Sequence, residues 1–396
     1  MSDYTTGGKG QNAMGKKLQP KLRFKGFTDD WEQRRLGEIA TVVGGGTPDT
    51  NNPLYWNGDI NWFTPAEIGS NAYASKSERR ITEEGLEHSS AKLLPAGRTV
   101  LFTSRASIGL TAILMVEACT NQGFQSLVVS DRTDVFFLFG LCNRIKKQAI
   151  RNAAGSTFIE VSGKQLAKMP LQVPSLDEQR RIGKIVRTID SLIAAEKRKL
   201  DLLKDKKTAL LRQIFDQKER FKGYTDPWEP RRLGDVAEIG TGSHNTQDGH
   251  LAGPYPFFIR SDQKLFLDDF DYDEEAILIP GDGRIGQIYH YMNGKYALHQ
   301  RVYRIKVDSS VDTRFILYLM ESRFRKHALA MNSQGTVPSL RKPIFTEWGI
   351  NLPRDRDEQV RIGMLFSQLD NLIAAESRKI DLLELKKKAL LQQMFV

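Results

Sequence analysis

Two glycine-bearing stretches hold residue types at spacings that could do phosphate chemistry. "GDGRIG" (Gly281 to Gly286) has the spacing that lets a backbone approach a dinucleotide pyrophosphate at a helix N-terminus. The strand-like "AILI" leads into it. The residues after it, "QIYHYMNGKYALHQ", read as a hairpin turning at Asn293 and Gly294, and the helix that must receive the pyrophosphate is missing. A related stretch, "SRASIG" (Ser104 to Gly109), keeps the final Ile-Gly without the other glycines, so the shared feature is a turn. "GQNAMGKK" (Gly10 to Lys17) approaches a phosphate loop, but Lys17 stands where the magnesium-binding Ser or Thr belongs, and no strand precedes it.

Other constellations are weaker. "NPLY" (Asn52 to Tyr55) has one proline fewer than the Asn-Pro-Pro-Tyr signature of amino-methyltransferases and reads as a surface turn. His244 and His250 stand six apart in a Gly-rich segment, while His290 and His299 flank the expected hairpin, so no metal-ligand spacing emerges. Cys119 and Cys142 cannot build a disulfide framework or a cysteine-based zinc site, and read as two buried thiols. No serine, histidine and acid grouping stands out. The sequence therefore supports neither catalysis nor a cofactor or metal in this chain.

The elements that would position any site come from the whole chain. Its 396 residues suffice for two or three domains with separate cores. With 27% charged and 40% hydrophobic residues the composition is globular, and no apolar run reaches a membrane-spanning length. The N-terminal stretch has no hydrophobic signal core, which makes the cytoplasm the expected location. A net charge of +10 favours an anionic partner such as nucleic acid, although an acidic run extends from Asp268 to Glu275.

A tandem repeat organises the chain. Residues 177 to 215 ("DEQRRIGKIVRTIDSLIAAEKRKLDLLKDKKTALLRQIF") and 357 to 395 ("DEQVRIGMLFSQLDNLIAAESRKIDLLELKKKALLQQMF") share about 24 identities in roughly 39 positions. "RFKGFTDDWEQRRLGEIA" (23 to 40) recurs as "RFKGYTDPWEPRRLGDVA" (220 to 237), at an offset of 197 rather than 180. The plan is a conserved block, a variable domain and a conserved helix, then the same again.

Each conserved helix carries an apolar stripe at three-and-four spacing: Ile182, Ile185, Ile189, Leu192, Leu203 and Leu210, then Ile362, Leu365, Leu369, Leu372, Leu383 and Leu390. So narrow a stripe predicts a coiled-coil seam. Ser175 with Glu178, and Asp355 with Glu358, predict capping boxes at the two starts. Connectivity then predicts an antiparallel pair about 58 Å long. The expected fold is mixed α/β, specifically α+β: two globular domains separated by an antiparallel two-helix coiled coil, with a pseudo-twofold axis near Glu196 and Glu376. The boundaries read as a disordered tail (1–22), a first domain (23–174), a first spacer helix (175–219), a second domain (220–353) and a second spacer helix (354–396). In each domain turn-punctuated strands precede an apolar helix ("TDVFFLFGLCNRIKKQAIRNAA", "DTRFILYLMESRFRKHALAMNS").

"GGTPDTNNPLYWNGDINWFTPAEI" (45 to 68), "TSRASIG" with "NQGF" (Asn121 to Phe124), and the duplicated helices resemble the specificity subunit of type I restriction-modification complexes over nearly the whole chain after residue 22. The resemblance implies a non-catalytic subunit whose two target-recognition domains each read half of an interrupted, asymmetric sequence in double-stranded DNA. It implies two docked methyltransferase subunits on the conserved helices, and restriction subunits that complete the endonuclease. S-adenosylmethionine, ATP and Mg would then belong to the partner subunits. The second domain departs from the family wording, with "TGSHNTQDGH" in place of "GGTPDTNN".

Base readout needs Arg, Lys, Asn, Gln, Ser or Thr on loops that meet groove edges. The candidates are Thr47, Asn51, Ser104, Arg105, Ser156 and Thr157 in the first domain, and Asn245, Arg260, Arg284, Gln300, Gln334 and Thr336 in the second. Two other classes stay open on the sequence: a coiled-coil adaptor without direct DNA readout, and a self-contained methyltransferase.

Overall fold

The structure, a computed structural model, describes residues 19–152, 160–261, 263–331 and 339–395. The chain divides into two compact units, residues 1–197 with 379–396 and residues 198–378. The expected tail lies outside the described residues as far as residue 18. Beyond it, Gln19 donates from Nε2 to Thr28 O at 2.9 Å, and Leu22 N–H donates to Gln393 O at 3.0 Å.

The first unit is built on a five-stranded sheet ordered Ala40–Gly44, Gln125–Val129, Thr99–Phe102, Thr111–Leu114 and Tyr73–Ala74. A three-stranded sheet (Arg79–Ile81, Trp56–Phe63, Ala118–Thr120) stands beside it, and Glu32–Arg35 pairs antiparallel with Pro170–Val173. The helix Val135–Asn152 buries Phe137, Leu138, Leu141, Ile145 and Ala149 among Val100, Phe102, Ile113 and Leu127 of the larger sheet. Both cysteines are free and buried, and burial pushes the Cys119 thiol up to about 11, so neither presents a reactive thiolate.

The second unit has one six-stranded sheet, ordered Ala237–Thr241, Val302–Val307, Tyr272–Pro280, His290–Leu298, Tyr255–Phe258 and Leu265–Leu267. Glu229–Arg232 pairs with Gly349–Leu352 as its counterpart pair does in the first unit. One turn expectation fails here. His290–Leu298 runs straight through Asn293 and Gly294 as a single strand, paired from His290 to Tyr296 with the preceding strand, Glu275 opposite Asn293 and Glu274 opposite Gly294. Gly294 holds its positive φ of 115° inside the ladder, because a continuous partner strand outweighs a local turn preference. The hairpin instead turns at 281–289, which contains "GDGRIG" and no helix, so a pyrophosphate site has nothing to form on.

The repeated wording is explained locally in each unit. A capping box requires Glu178 and Glu358 to reach back to their own helix starts, and the structure corrects this. Ser175 Oγ does accept from Glu178 N–H at 3.4 Å, but the Glu178 carboxylate is taken by Arg23 in two bonds of 2.8 Å. Arg220 holds Glu358 in the same way at 2.8 and 2.6 Å. Two parallel charge-assisted bonds outcompete one bond to a backbone N–H. The recurrence of the RFKG block together with the helix thus has a physical reason.

Each long helix, Leu176–Phe215 and Arg356–Met394, is divided between the units near its middle. In the first unit Lys387 bonds Asp190, and Lys379 bonds Glu196. In the second, Lys199 bonds Glu376 at 2.8 Å, and Lys207 bonds Asp370 and Glu321, both at 2.7 Å. In both units the partner number falls as the first helix advances, so the segments run antiparallel. The stripe differs from the sequence reading at one matched pair. Leu192 and Leu372 are 47% and 54% exposed, while the next residue in the first helix, Ile193, is buried. Eleven residues, about three helical turns, carry the face of the buried Ile182 to Ile193 and leave Leu192 about 80° to one side, as ten residues from Ile362 leave Leu372.

Asp370, a half-exposed acid, has a partner on each carboxylate oxygen. Its Oδ1 meets Lys207 and its Oδ2 accepts from Tyr318 OH at 2.8 Å. Asp190, the counterpart acid, has Oδ2 buried without a hydrogen-bond partner, and burial holds its pKa above the usual carboxylate range despite Lys387. Tyr318→Phe is therefore expected to lower the stability of the second unit by about 1–2 kcal/mol, read by urea unfolding. An unchanged midpoint would show that this hydroxyl contributes nothing.

Candidate nucleic-acid interface

In the first unit the strand Ala40–Gly44 is followed by Gly45, where a Cβ would lie 2.0 Å from Asn121 O, so only glycine lets the two loops touch. Gly46 N–H then donates to Thr120 O at 2.8 Å, and Trp62 Nε1 donates to Gly46 O at 2.9 Å. This seats Thr47 beside the "NQGF" turn, where Thr47 Oγ1 donates to Gln122 Oε1. The turn is self-supporting: Asn121 Oδ1 accepts from Gly123 N–H at 2.8 Å, and Asn121 N–H donates to Phe63 O at 3.1 Å. Ser104 N–H donates to Gly123 O at 2.8 Å, and Arg105 Nε donates to Gln122 O at 3.2 Å.

The structure therefore gathers Thr47 and Arg105 around Gln122. Ser104 needs correction as a base reader: it is 0% exposed, and its Oγ donates to Gly123 O, so it fixes the loop. Asn51 is exposed farther along the loop, its backbone N–H on Asp49 Oδ1 at 2.9 Å, and among the described residues its side chain does not join the Gln122 group. Asn52 Oδ1 caps Leu54 N–H at 3.0 Å, in keeping with "NPLY" as a surface turn. Ser156 and Thr157 lie outside the described residues.

The second unit repeats this construction with different side chains. After the strand Ala237–Thr241, a Cβ on Gly242 would stand 1.9 Å from Leu298 O. Gln300 N–H donates to His244 O at 2.9 Å, and Gln300 Nε2 donates to Asn245 Oδ1 at 2.6 Å. His299 takes the part of Asn121: its N–H donates to Phe258 O at 3.0 Å, and its Nδ1 accepts from Arg301 N–H at 2.9 Å. Burial, then the charges of Arg260 and Arg301, hold the His299 pKa below its ordinary value, which keeps Nδ1 available as an acceptor. Gly281 N–H donates to Arg301 O at 2.7 Å, as Ser104 does to Gly123.

Asn245 and Gln300 thus meet directly. Arg260 is half-exposed and pairs with Asp282 at 3.4 Å, while Arg284 stands exposed at the tip of the 281–289 turn. Gln334 and Thr336 lie outside the described residues. The sequence reading overlooks Gln122, although laying "LHQRV" (298–302) on "TNQGF" (120–124) puts it opposite Gln300. It also overlooks Arg79, whose exposed guanidinium lies 3.6 Å over the Trp56 ring and 5.4 Å from that of Trp62. Trp56 Nε1 donates to Asp49 O at 3.0 Å, which links this stacked cation to the loop that carries Thr47.

Such loops offer hydrogen-bonding side chains and cations on a rigid sheet frame, the equipment for base edges and phosphates. Among the described residues no group of three or more His, Cys, Asp or Glu could hold a metal ion, and no helix is long and apolar enough to cross a membrane.

Comparison with known proteins agrees with this layout. A Methanocaldococcus jannaschii type I restriction enzyme specificity subunit is 33% identical over 234 residues, 55% of this chain and 54% of that protein. An Escherichia coli type I specificity subunit is 31% identical over 177 residues, 43% of each chain, so this chain spans about half the length of these two relatives. The crystal structure of a type I restriction-modification S subunit from M. genitalium shares the fold, with a TM-score of 0.69 at 14% identity, over 96% of this chain and 99% of that one. The model for the type I restriction modification DNA specificity domain matches twice, at residues 28–205 and 225–385, and by that double match over most of its length the chain belongs to the type I restriction-modification DNA specificity family.

Proposed function

We propose that this chain is the DNA-reading specificity subunit of a type I restriction-modification complex, in which each unit reads half of an interrupted, asymmetric site in double-stranded DNA. The observation that carries the reading is the doubled loop construction: Thr47 on Gln122 and Asn245 on Gln300 stand on equivalent frames with unlike surroundings. Unlike readers on a repeated frame make an asymmetric target. Arg79, Arg105 and Arg284 are the cations best placed to meet phosphates beside those loops.

The duplicated helices are proposed to separate the two readers and to dock two methyltransferase subunits, with restriction subunits joining that assembly. Matched solvent-facing leucines favour docking: Leu192 with Leu372, and Leu202 with Leu382, recur at an offset of 180. Methyl transfer and cleavage, with S-adenosylmethionine, ATP and Mg, would then be the work of the partners. A purely structural adaptor would retain no DNA when bound to its methyltransferase on a filter, whereas the proposed reader retains it.

The deciding experiment replaces residues 41–174 with the equivalent segment of a relative and maps methylated sites across the genome. One half of the recognised motif is expected to change while the other half stays as it was. A change in both halves would sink the idea of independent readers.

A further inference from the structure

We infer that Gln122 and Gln300 are equivalent specificity-determining residues, each reading an adenine edge in one half-site. The inference rests on the DNA-reading function proposed above, and it assigns one contact per unit: Gln300, one of the sequence candidates, and Gln122, which the fold adds to them.

The two glutamines occupy the same place on two different surfaces. Each follows a residue that bonds its own turn, Asn121 Oδ1 to Gly123 N–H and His299 Nδ1 to Arg301 N–H. Each precedes a residue whose carbonyl accepts from the turn that starts at Ser104 or at Gly281. Between "TNQGF" and "LHQRV" the glutamine is the one identity. Its neighbours have structural duties, while both glutamine side chains are exposed and neither core requires them.

Both side chains are also tethered, Gln122 by Thr47 and Gln300 by Asn245. A tether limits the rotamers that must be frozen on binding. It consumes one hydrogen-bonding position and leaves each carboxamide at least one acceptor lone pair and one N–H. That remaining pair matches the N7 acceptor and N6 donor that adenine shows in the major groove. The count holds whichever way either amide is turned, because oxygen and nitrogen each keep a spare position.

The test uses the full chain assembled with its partner methyltransferase subunits and a library of random duplexes, from which bound DNA is recovered and sequenced. Wild-type protein is expected to enrich a two-part motif with an adenine in each half. Gln122→Ala should lose discrimination at one adenine by roughly ten- to a hundred-fold and leave the other half intact, and Gln300→Ala should do the reverse. Gln122→Glu should move the preference at that position toward cytosine, whose N4 group donates to a carboxylate. Thr47→Val should weaken discrimination at the same position without changing the preferred base. Melting temperatures within a few degrees of wild type confirm that the variants fold. Unchanged motifs, or weakening that is uniform over all sequences as a phosphate contact would give, overturn the assignment. If wild-type protein enriches no motif at all, the specificity function itself falls, a different result from a motif that ignores these glutamines.

Discussion

Phe395→Ala is expected to destabilise the first unit by about 3–5 kcal/mol, a loss that lowers its melting temperature by roughly 6–20 °C. Phe395 is 3% exposed and lies within the core of that unit, 5.5 Å from the Phe137 ring and 6.3 Å from Trp31, and Arg144 Nη2 donates to its carbonyl at 2.7 Å. Removing the ring leaves a cavity beside Trp31 and Phe137, which already pack edge to face at 5.9 Å and cannot close over the space without shifting. In the second unit Phe215 has the same part, 5.4 Å from Phe315 and 6.3 Å from Trp228, with Arg323 on its carbonyl. Phe215→Ala should therefore destabilise the second unit by a similar amount. Calorimetry that shows one lowered transition in each variant would agree. Two unshifted transitions would mean that these rings lie outside the cooperative cores.

The second large effect concerns the paired charges at the helix starts. Arg23→Ala leaves the Glu178 carboxylate, 1% exposed, without the guanidinium that neutralises it, and is expected to cost about 3–5 kcal/mol. The hydrogen bond to Glu178 holds the Arg23 pKa above its already high ordinary value, so the arginine stays charged at any working pH. The contribution of a raised arginine is fully present below its unfolded pKa, which gives no pH at which the wild-type pair switches off in the physiological range. Adding Glu178→Gln to Arg23→Ala should recover a large part of the loss, because a buried amide costs far less than a buried unpaired charge. Urea unfolding of the four-member cycle measures the coupling. Additive losses would show that Glu178 is solvated or has another partner. The same cycle at Arg220 and Glu358 is expected to behave alike.

Much of this architecture is legible in the residues. The duplication sets the order of elements, announces both long helices, the first of which ends at Phe215 rather than at 219, and matches the turn at Ser104 with that at Gly281. The apolar helices are visible too, although the second contains a π turn at Met320–Phe324. That turn has a reason only the fold supplies. Seven residues separate Phe137 from Arg144, eight separate Phe315 from Arg323, and the wide turn absorbs the extra residue so that each arginine still reaches its phenylalanine carbonyl.

What the sequence determined by itself was whatever depends on neighbours along the chain: the repeat, the helical period, and the lack of a helix after "GDGRIG". What the tertiary structure decided was partnership. Periodicity shows that a helix has an apolar face, but not which core receives its end, and Phe395 lies in a core formed mainly by residues more than 200 positions earlier. The Asn293–Gly294 turn gave way to a strand because seven paired positions outweigh one local preference. Glu178 left its capping box for Arg23, and Ser104 turned inward to Gly123, because each found a stronger bond with a residue distant in sequence. Gln122 gained meaning the same way: only the folded loops put Thr47 and Arg105 beside it, and local pattern carries no information about contacts that close over 75 and 17 residues.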